Sequence, residues 1–263
     1  MPAGRGKYHV PMAGRVLAVL EAFRTHGPRL FLTEVTELCQ IPKASAFRLL
    51  ETLHSAGYLA RDEHGRYRLT YKLLELAAVA QERDPLRRQA LATMQQLWRE
   101  LGETVNLGIL EEGQIVYSEV IESRHNLRLV PRIGAQAPFH ATALGKAIAA
   151  WLPTEVLEEL MQKTKLQRFT PKTITTEQFL QRELARTREL GYAVDDEEET
   201  LGCICVAAPL FDAHSRVVCA LSVSGPSSRM ASTRVAQVGR RIREECLRLS
   251  RKFGFRGQLR SLA

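Results

Sequence analysis

The sequence lacks any apolar run long enough to cross a membrane. A membrane-spanning helix needs about 20 apolar residues in a row, and no stretch of the 263 residues approaches that length. Aromatic residues are sparse at 6%, yet hydrophobic residues reach 45% and charged residues 25%, which is usual for a folded globular protein. A chain that is mainly disordered is therefore excluded, and the length is comfortable for two domains.

Cysteine is scarce, and its five residues do not form the pattern of a disulfide framework. Their number is odd, and they are scattered along the chain. The basic segment 1–7 is not followed by the apolar stretch of a secretory signal, so we expect no leader. These features predict free thiols, a cytoplasmic location and no membrane partner.

Positive charge is concentrated at the two ends of the chain. Residues 1–83 carry 12 lysines and arginines against 8 acids, and residues 234–263 carry 9 against 2. The middle segment 84–233 is mildly acidic, with 16 basic and 19 acidic residues. A basic end can attract phosphate groups. For the C-terminal segment, a solvated helix face is the favoured interpretation, with contact to DNA in an oligomer as the alternative.

The N-terminal quarter predicts three helices followed by a hairpin. Residues 1–13 are rich in glycine, proline and basic residues, which predicts a flexible basic arm. Helical periodicity starts at Gly14, Thr33 is the expected N-cap of a second helix, and Pro42 suits the first turn of a third that ends near Ala56. Two short runs at 58–61 and 66–69, separated by a loop with a glycine, indicate a β-hairpin.

This layout predicts a winged helix-turn-helix. The third helix would place its N-terminal residues against base edges in the major groove of double-stranded DNA, while the hairpin contacts phosphates or a minor groove. Its apolar residues, Phe47 among them, are expected to face the core. A helical module that binds protein is the alternative. The predicted DNA-contacting residues are Lys43, Ser45, Arg48 and Thr52 on the helix and Arg66 and Arg68 on the hairpin.

The remainder of the chain predicts a mainly antiparallel α+β domain. Helical patterns cover 70–84, where Asp84-Pro85 ends the run, and then 86–101, 141–152, 177–190 and 232–253. Strands are expected at 104–110, 115–121, 127–130, 203–211 and 217–223. Hairpins mixed with helices, rather than strict strand–helix alternation, favour an antiparallel sheet.

Several segments together resemble the IclR family of bacterial transcription regulators over about residues 12–254. They are Ile41–Leu50, Pro138–Lys146, and a stretch from Gly191–Glu198 through Gly202–Pro209 to Ser222–Pro226. The resemblance implies a winged helix at 14–70, a linker helix at 71–85, a GAF-like effector-binding domain at 86–254 and a tail at 255–263. It further implies a homodimer or tetramer without a cofactor, and a small organic acid or aromatic catabolite as effector. Many family members are repressors.

The same resemblance implies an acid-binding pocket. Ser222 and Ser224 are two apart on a strand and so face one side, where two hydroxyls and a helix N-terminus can hold a carboxylate; strand hydroxyls bonded to neighbouring backbone are the alternative. Relatives that bind very small keto acids often have glycine at the position that Ala143 occupies here. Asn126 replaces an apolar wall residue of the family, and a polar wall favours a hydroxylated or nitrogen-rich ligand. The implied pocket residues are Asn126, Leu129, Ala143, Leu144, Asp195, Cys203, Cys205, Ser222 and Ser224.

Two other functions fit the residues less well. Cys203, Cys205 and His140 could hold a metal, but zinc thiolate pairs usually have roughly two to four residues between the cysteines and a second pair elsewhere. Here one residue separates them, and we expect them to point to opposite faces of a strand. Cys205 with His140 as base could be an enzyme's nucleophile, but no oxyanion motif accompanies them. We therefore expect neither a metal nor catalysis.

Overall fold

The computed structural model describes residues 10–81 and 85–257, with the side chains of 77–87 left out. The chain divides into two compact units, 1–84 and 85–263. Within the described residues, no helix combines the length and the apolar character that a membrane span requires.

The first unit is a three-helix bundle with a small hairpin and a fourth helix. Its elements are α1 (Pro11–His26), α2 (Leu32–Cys39), α3 (Lys43–Ser55), β1 (Leu59–Arg61), β2 (Tyr67–Leu69) and α4 (Lys72–Gln81). Val19, Val35 and Leu50 are fully buried between the three helices. The strands pair antiparallel, which confirms the predicted winged helix-turn-helix.

Two details of this unit correct the sequence-based expectations. The flexible arm was predicted to extend to residue 13, but α1 already begins at Pro11, a residue whose fixed φ suits a first helical turn. Residues 1–9 lie outside the described part. Thr33 is not the N-cap of α2. Phe31 is, and its backbone N–H donates to Glu34 Oε2 at 2.6 Å, so the carboxylate of the first turn satisfies an otherwise open donor.

The second unit is a six-stranded antiparallel sheet between helices. The helices are α5 (Pro85–Leu101), α6 (Ala143–Ala149), α7 (Thr154–Lys163), α8 (Glu177–Leu190) and α9 (Ser232–Lys252). The strands are β3 (Thr104–Glu111), β4 (Gln114–Ile121), β5 (Gln136–Pro138), β6 (Ala193–Asp196), β7 (Cys203–Phe211) and β8 (Val217–Pro226), in the spatial order β5-β4-β3-β8-β7-β6. The predicted α+β class with an antiparallel sheet is confirmed.

Alternation along the strands decides which helices each face meets. Val206 and Val223 point to the face covered by α5 and α9. Ala207 and Ala220, each an odd number of residues away, point to the face covered by α6 and α8. The second face is lined near the ends of β7 and β8 by small and polar residues rather than by large apolar ones, which leaves space there.

Three expectations for this unit are wrong. No strand forms at 127–130; residues 122–135 are an irregular loop, and the strand lies at β5 instead. The helix predicted over 141–152 is the shorter α6. The tail expected from 255 begins later, because the Phe255 ring stacks on Phe211 with centroids 4.8 Å apart; residues 258–263 lie outside the described part.

Candidate functional sites

The outer face of α3 gathers the four residues predicted to meet DNA. Lys43, Arg48 and Thr52 are exposed, and Ser45 is half-buried. Thr52 Oγ1 donates to the Arg48 carbonyl at 2.7 Å, and Arg48 Nε donates to the Ala44 carbonyl at 3.3 Å. The bond to Ala44 uses one of the guanidinium donors of Arg48, and the side chain is exposed, so its other donors are accessible to a ligand. The arrangement is a cationic and hydroxylated helix surface open to a ligand.

Phe47 is a residue of α3 that the sequence analysis misplaced. It was expected in the core, but its side chain is 44% exposed because the positions facing α1 and α2 are Ala46, Leu49, Leu50 and Leu53. It therefore adds an apolar group to the outer surface of the helix.

The hairpin gives its two predicted arginines different roles. Asp62 Oδ1 accepts the backbone N–H groups of His64 and Arg66, and Asp62 Oδ2 accepts Arg66 Nε at 2.9 Å. These bonds, led by the one from the Arg66 backbone, lower the pKa of Asp62. Arg68 is exposed and has no acidic partner among the described residues. Arg66 thus stabilises the hairpin loop through Asp62, while the positive charge of Arg68 is accessible to a ligand such as a phosphate.

A cavity of about 310 Å³ lies on the α6 side of the second unit's sheet. The ends of β3, β8, β7 and β6 form its floor, the first residues of α6 form one wall, and residues 129–131 of the irregular loop cover it. Eight of the nine predicted effector residues line this cavity. They are Leu129, Ala143, Leu144, Asp195, Cys203, Cys205, Ser222 and Ser224.

Asn126 is the ninth predicted residue, and the structure does not bring it to the cavity. Its side chain is exposed on the irregular loop, and it is absent from the cavity lining. Its loop has no strand pairing that would turn the side chain inward. Asn126 therefore does not change the polarity of the cavity wall, and the expectation based on it is wrong.

Strand register explains why residues distant in sequence share this floor. Ser224 is paired with Cys205, which is in turn paired with Asp195. Asn106 is paired with Ser222 on the next rung of the same face. Neighbouring strands lie about 4.8 Å apart, so Ser224 and Asp195 stand roughly 10 Å apart along one polar row.

Asn106 is the most buried of the polar cavity residues that were not predicted from the sequence. The other unpredicted lining residues are Tyr117, Val130, Pro131, Ala135, Gln136, Ala137, Thr142, Glu199 and Thr200. Asn106 is 1% exposed, and its Nδ2 donates to Ser222 Oγ and to Ser224 Oγ, each at 3.1 Å. The only sequence signal is that Asn106 lies between Val105 and Leu107, so it faces the side of β3 opposite to the apolar residues. The two serine hydroxyls are thus bonded to a side chain rather than to neighbouring backbone.

Asp195 is a buried carboxyl at the other end of the polar row. Its Oδ1 accepts the backbone N–H of Glu198 at 2.8 Å and that of Glu199 at 3.4 Å. Burial nevertheless raises its pKa to about 7, against the opposing effect of Lys146. Lys146 is fully buried, and its ammonium group donates to Glu198 Oε1 and to the Val194 carbonyl.

Thr142 begins α6 at the cavity wall. Its Oγ1 accepts the N–H of Gly145 at 3.2 Å, so the N–H groups of Ala143 and Leu144 remain outside the helical ladder, as in any first turn. A side chain at Gly145 could not be accommodated, since its Cβ would stand 2.1 Å from the Phe139 carbonyl oxygen. The glycine allows α6 to pack closely on the segment that leads into it.

Cys203 and Cys205 do not point to opposite faces, as expected above. Residues two apart on a strand share a face, and the two sulfur atoms are 3.5 Å apart. The hydrogen bond to Cys203 and burial raise the pKa of Cys205, which opposes a thiolate nucleophile. His140 does not line the cavity, and its Nε2 pairs with the Gln167 carbonyl. Within the described residues, no group of three or more histidine, cysteine or acidic side chains could hold a metal ion.

Comparisons with known proteins agree with this arrangement. The family model described as "IclR helix-turn-helix domain" matches residues 13–63, and that described as "Bacterial transcriptional regulator IclR C-terminal" matches residues 78–251. The chain is 36% identical over 242 residues to the HTH-type transcriptional regulator XynR of Escherichia coli, covering 92% of this chain and 96% of that protein.

Solved structures show the same architecture. The IclR protein of Thermotoga maritima superposes with a TM-score of 0.80 at 28% identity, covering 94% of this chain and all of that one. An IclR homologue from Microbacterium hydrocarbonoxydans, crystallised in complex with 4-hydroxybenzoate, gives a TM-score of 0.79 at 25% identity over 92% of this chain and 99% of that one. The chain belongs to the IclR family of bacterial transcriptional regulators.

Proposed function

We propose that this protein is a transcriptional regulator that binds a palindromic operator through α3 and the hairpin and responds to a small organic acid bound in the cavity of the second unit. The observation that carries the effector half is the cavity itself, where residues from four strands and one helix meet on a polar floor. The exposed cationic face of α3 carries the DNA half.

Operator binding requires two copies of the winged helix. A palindrome presents equivalent half-sites one or more helical turns apart, so a homodimer or tetramer is part of the proposal. In each copy, α3 enters a major groove, where Lys43, Ser45 and Arg48 reach base edges. Arg68 lies against a phosphate, and Phe47 offers an apolar contact to a thymine methyl group.

The effector's carboxylate is held at the serine end of the polar row. Asn106 donates to both serine oxygens, which leaves the hydroxyl hydrogens of Ser222 and Ser224 for an acceptor. The hydroxyl of Ser224 can also donate to the Cys205 sulfur, and a carboxylate is the stronger acceptor of the two. The N–H groups of Ala143 and Leu144 add further donors, while Leu129 and Cys203 shape the walls. The 4-hydroxybenzoate complex of one homologue supports an acid ligand in this fold.

The remaining parts of the proposal follow from these two. The winged helix runs from the start of α1 at Pro11 to residue 70, the linker helix includes α4, and the effector-binding domain begins with α5. The linker helix carries the change in half-site spacing when the effector binds. The protein acts in the cytoplasm, as a repressor of catabolic genes.

An enzyme built on the second unit is less well supported. Cys205 has a raised pKa, and His140 pairs with a carbonyl outside the cavity. In the part of the chain that the structure describes, no hydrogen bond joins Cys205 to His140, as a nucleophile and its base would require.

A thermal-shift panel of small acids tests the effector half. A ligand at 100 times its dissociation constant adds about 2.7 kcal/mol to the free energy of unfolding, which raises Tm by several degrees. We expect at least one acid to shift the wild-type protein and to lose its effect in the Ser222→Ala/Ser224→Ala variant. DNA binding by that variant should be unchanged.

The matched control is Ser228→Ala, which removes an exposed hydroxyl that does not line the cavity. It should respond to the acid as the wild type does. An effector response that survives the double substitution would contradict the serine assignment.

A further inference from the structure

The amide of Asn106 has one end without a partner. Both hydrogens of its Nδ2 are used on Ser222 and Ser224, while its Oδ1 is buried and has no hydrogen-bond partner among the described residues. Turning the amide over would use the serine hydroxyl hydrogens on Oδ1, so that they could not hold a carboxylate. In the orientation that the proposed function requires, Oδ1 is the buried atom without a partner among the described residues, which is costly unless a bound group supplies one.

A hydroxyl group on the ligand is the partner that suits Asn106. Because Oδ1 only accepts, its partner must donate a hydrogen, which a hydroxyl does. A keto oxygen, a carboxylate, a methylene or an aromatic edge has no such hydrogen to offer. Because Asn106 lies beside both serines, this hydroxyl stands next to the carboxylate that the serines hold.

The charges around the cavity limit the ligand to one carboxylate. Among the described residues that line it, none is lysine, arginine or histidine, while Asp195 and Glu199 are acidic. The nearby cation, Lys146, is already committed to Glu198 and to the Val194 carbonyl. At pH 8, above the pKa of about 7 that burial gives Asp195, a second carboxylate at that end would meet like charge without a counterion, so ligand affinities are to be compared at that pH. A hydroxyl at that end would instead donate to the Asp195 carboxyl.

We infer, on the basis of the proposed function, that the effector is a monocarboxylic acid with hydroxyl groups along its carbon chain, and that Asn106 and Asp195 are the residues that select it. The polar row runs roughly 10 Å from Ser224 to Asp195 between Cα atoms. This span accommodates a linear acid of about five or six carbons, once the side chains at both ends are allowed for.

Matched ligands test the inference on the wild-type protein. The probes are five- and six-carbon aldonates that cover the alternative hydroxyl configurations, with hexanoate, glucarate and 4-hydroxybenzoate. Hexanoate keeps the carboxylate and removes the hydroxyls, and glucarate replaces the terminal hydroxyl by a second carboxylate. Calorimetric titration should show at least one aldonate binding about tenfold or more tightly than each of these three.

Two substitutions assign the selectivity to residues. Asn106→Leu keeps the approximate volume and should weaken the best aldonate by a factor that is about ten or more times larger than the factor for hexanoate. Both acids lose the bonds that position the serines, but only the aldonate also loses the partner of its hydroxyl. The control Asn126→Leu alters an exposed asparagine outside the cavity and should leave binding unchanged. Asp195→Asn keeps an acceptor for the Glu198 and Glu199 amides but removes the charge, and it should improve glucarate binding relative to the aldonate.

The results separate this inference from the proposed function. If 4-hydroxybenzoate, hexanoate or glucarate binds best and the Ser222→Ala/Ser224→Ala variant abolishes that binding, the acid cavity stands and the class of hydroxylated monocarboxylic acids is overturned. The class is also overturned if no aldonate binds. If Asn106→Leu fails to fold, the wild-type ligand comparison and the Asp195→Asn variant still test the inference. An Asp195→Asn protein with the same ratio of glucarate to aldonate affinity as the wild type would contradict the charge argument.

Discussion

Arg48 combines exposure with a position on α3 that suits reading a base. Arg48 lies three positions after Ser45 and four positions before Thr52, so these residues share one side of the helix. If its guanidinium bonds a guanine, Arg48→Ala should weaken operator binding by about 1–3 kcal/mol and relax specificity at that base pair.

Competition binding with operators altered at single positions measures this effect. Arg182→Ala, which removes an exposed arginine from α8 in the other unit, is the control for a loss of charge alone. An Arg48→Ala protein that still discriminates every base pair as the wild type does would contradict the base-reading role.

Asp195 should make the protein less stable as the pH rises. Its pKa is about 7 in the folded chain, compared with about 3.9 when unfolded. Between these values the folded state binds more protons, so the free energy of unfolding falls as pH rises from about 4 to about 7, by up to about 4 kcal/mol. Burial likewise raises the pKa of Glu198, which adds to the same trend.

Urea denaturation at pH 5 and pH 8 tests this effect. The loss of stability between these values should be smaller in Asp195→Asn, because the amide cannot ionise yet still accepts the backbone N–H groups of Glu198 and Glu199. Some dependence should remain from Glu198. An equal loss in both proteins would show that Asp195 is ionised throughout this range.

At the scale of elements, local signals predicted most helices and the hairpins, but α7 and β6 were not predicted. α8 ends where Gly191 adopts a left-handed conformation, and β7 was predicted to its last residue. The loop at 122–135 was missed because Leu127–Val130 alternates like a strand. What holds the loop is distant in sequence, since Arg229 binds both Glu103 oxygens at 2.6 and 2.7 Å and the Leu127 carbonyl at 3.0 Å.

Strand register determines most of the features of the cavity that could not be predicted from the sequence. Ser222, Ser224 and Asp195 were found through the family resemblance, which gives roles but no distances. Asn106 belongs to no motif, and its importance depends on the pairing of β3 with β8, whose residues are more than 100 positions apart. Local patterns specify the faces of a strand but not its neighbours.

The hairpin should respond differently to the loss of each arginine. Arg68→Ala removes an exposed charge and should reduce the slope of log affinity against log salt by about 1, with little change in stability. Arg66→Ala removes the partner of Asp62 and should affect the slope less, while loosening the loop.

Operator titrations at several salt concentrations, together with thermal unfolding, distinguish the two variants. A larger change of slope for Arg66→Ala than for Arg68→Ala would contradict the roles given to them here.

At the scale of the whole molecule, much of the C-terminal positive charge is used within its own unit. Arg241 Nε binds Glu100 Oε2 at 2.7 Å and also pairs with Glu245, which Arg248 contacts as well. Arg234 and Arg243 donate to the carbonyls that end α5 and α8. These bonds fix α9 on the second unit and support the solvated, structural interpretation of this basic segment.

Coupling between effector and operator must be reciprocal if both bind the same protein. The effector can shift operator affinity only by its difference in affinity for the free and the DNA-bound protein. A saturating effector should change the operator dissociation constant by some factor. A saturating operator should therefore change the effector dissociation constant by the same factor and in the same direction.

Two titrations of the full-length protein check this equality: operator titrated with and without effector, and effector titrated with and without operator. The Ser222→Ala/Ser224→Ala variant should give a factor of one in the first, since it retains the winged helix and loses the effector's hydroxyl donors. Unequal factors in the wild type would mean that the acid also acts on a second site or on the assembly of subunits. In that case, the cavity described here would not be the only place where the effector exerts its influence.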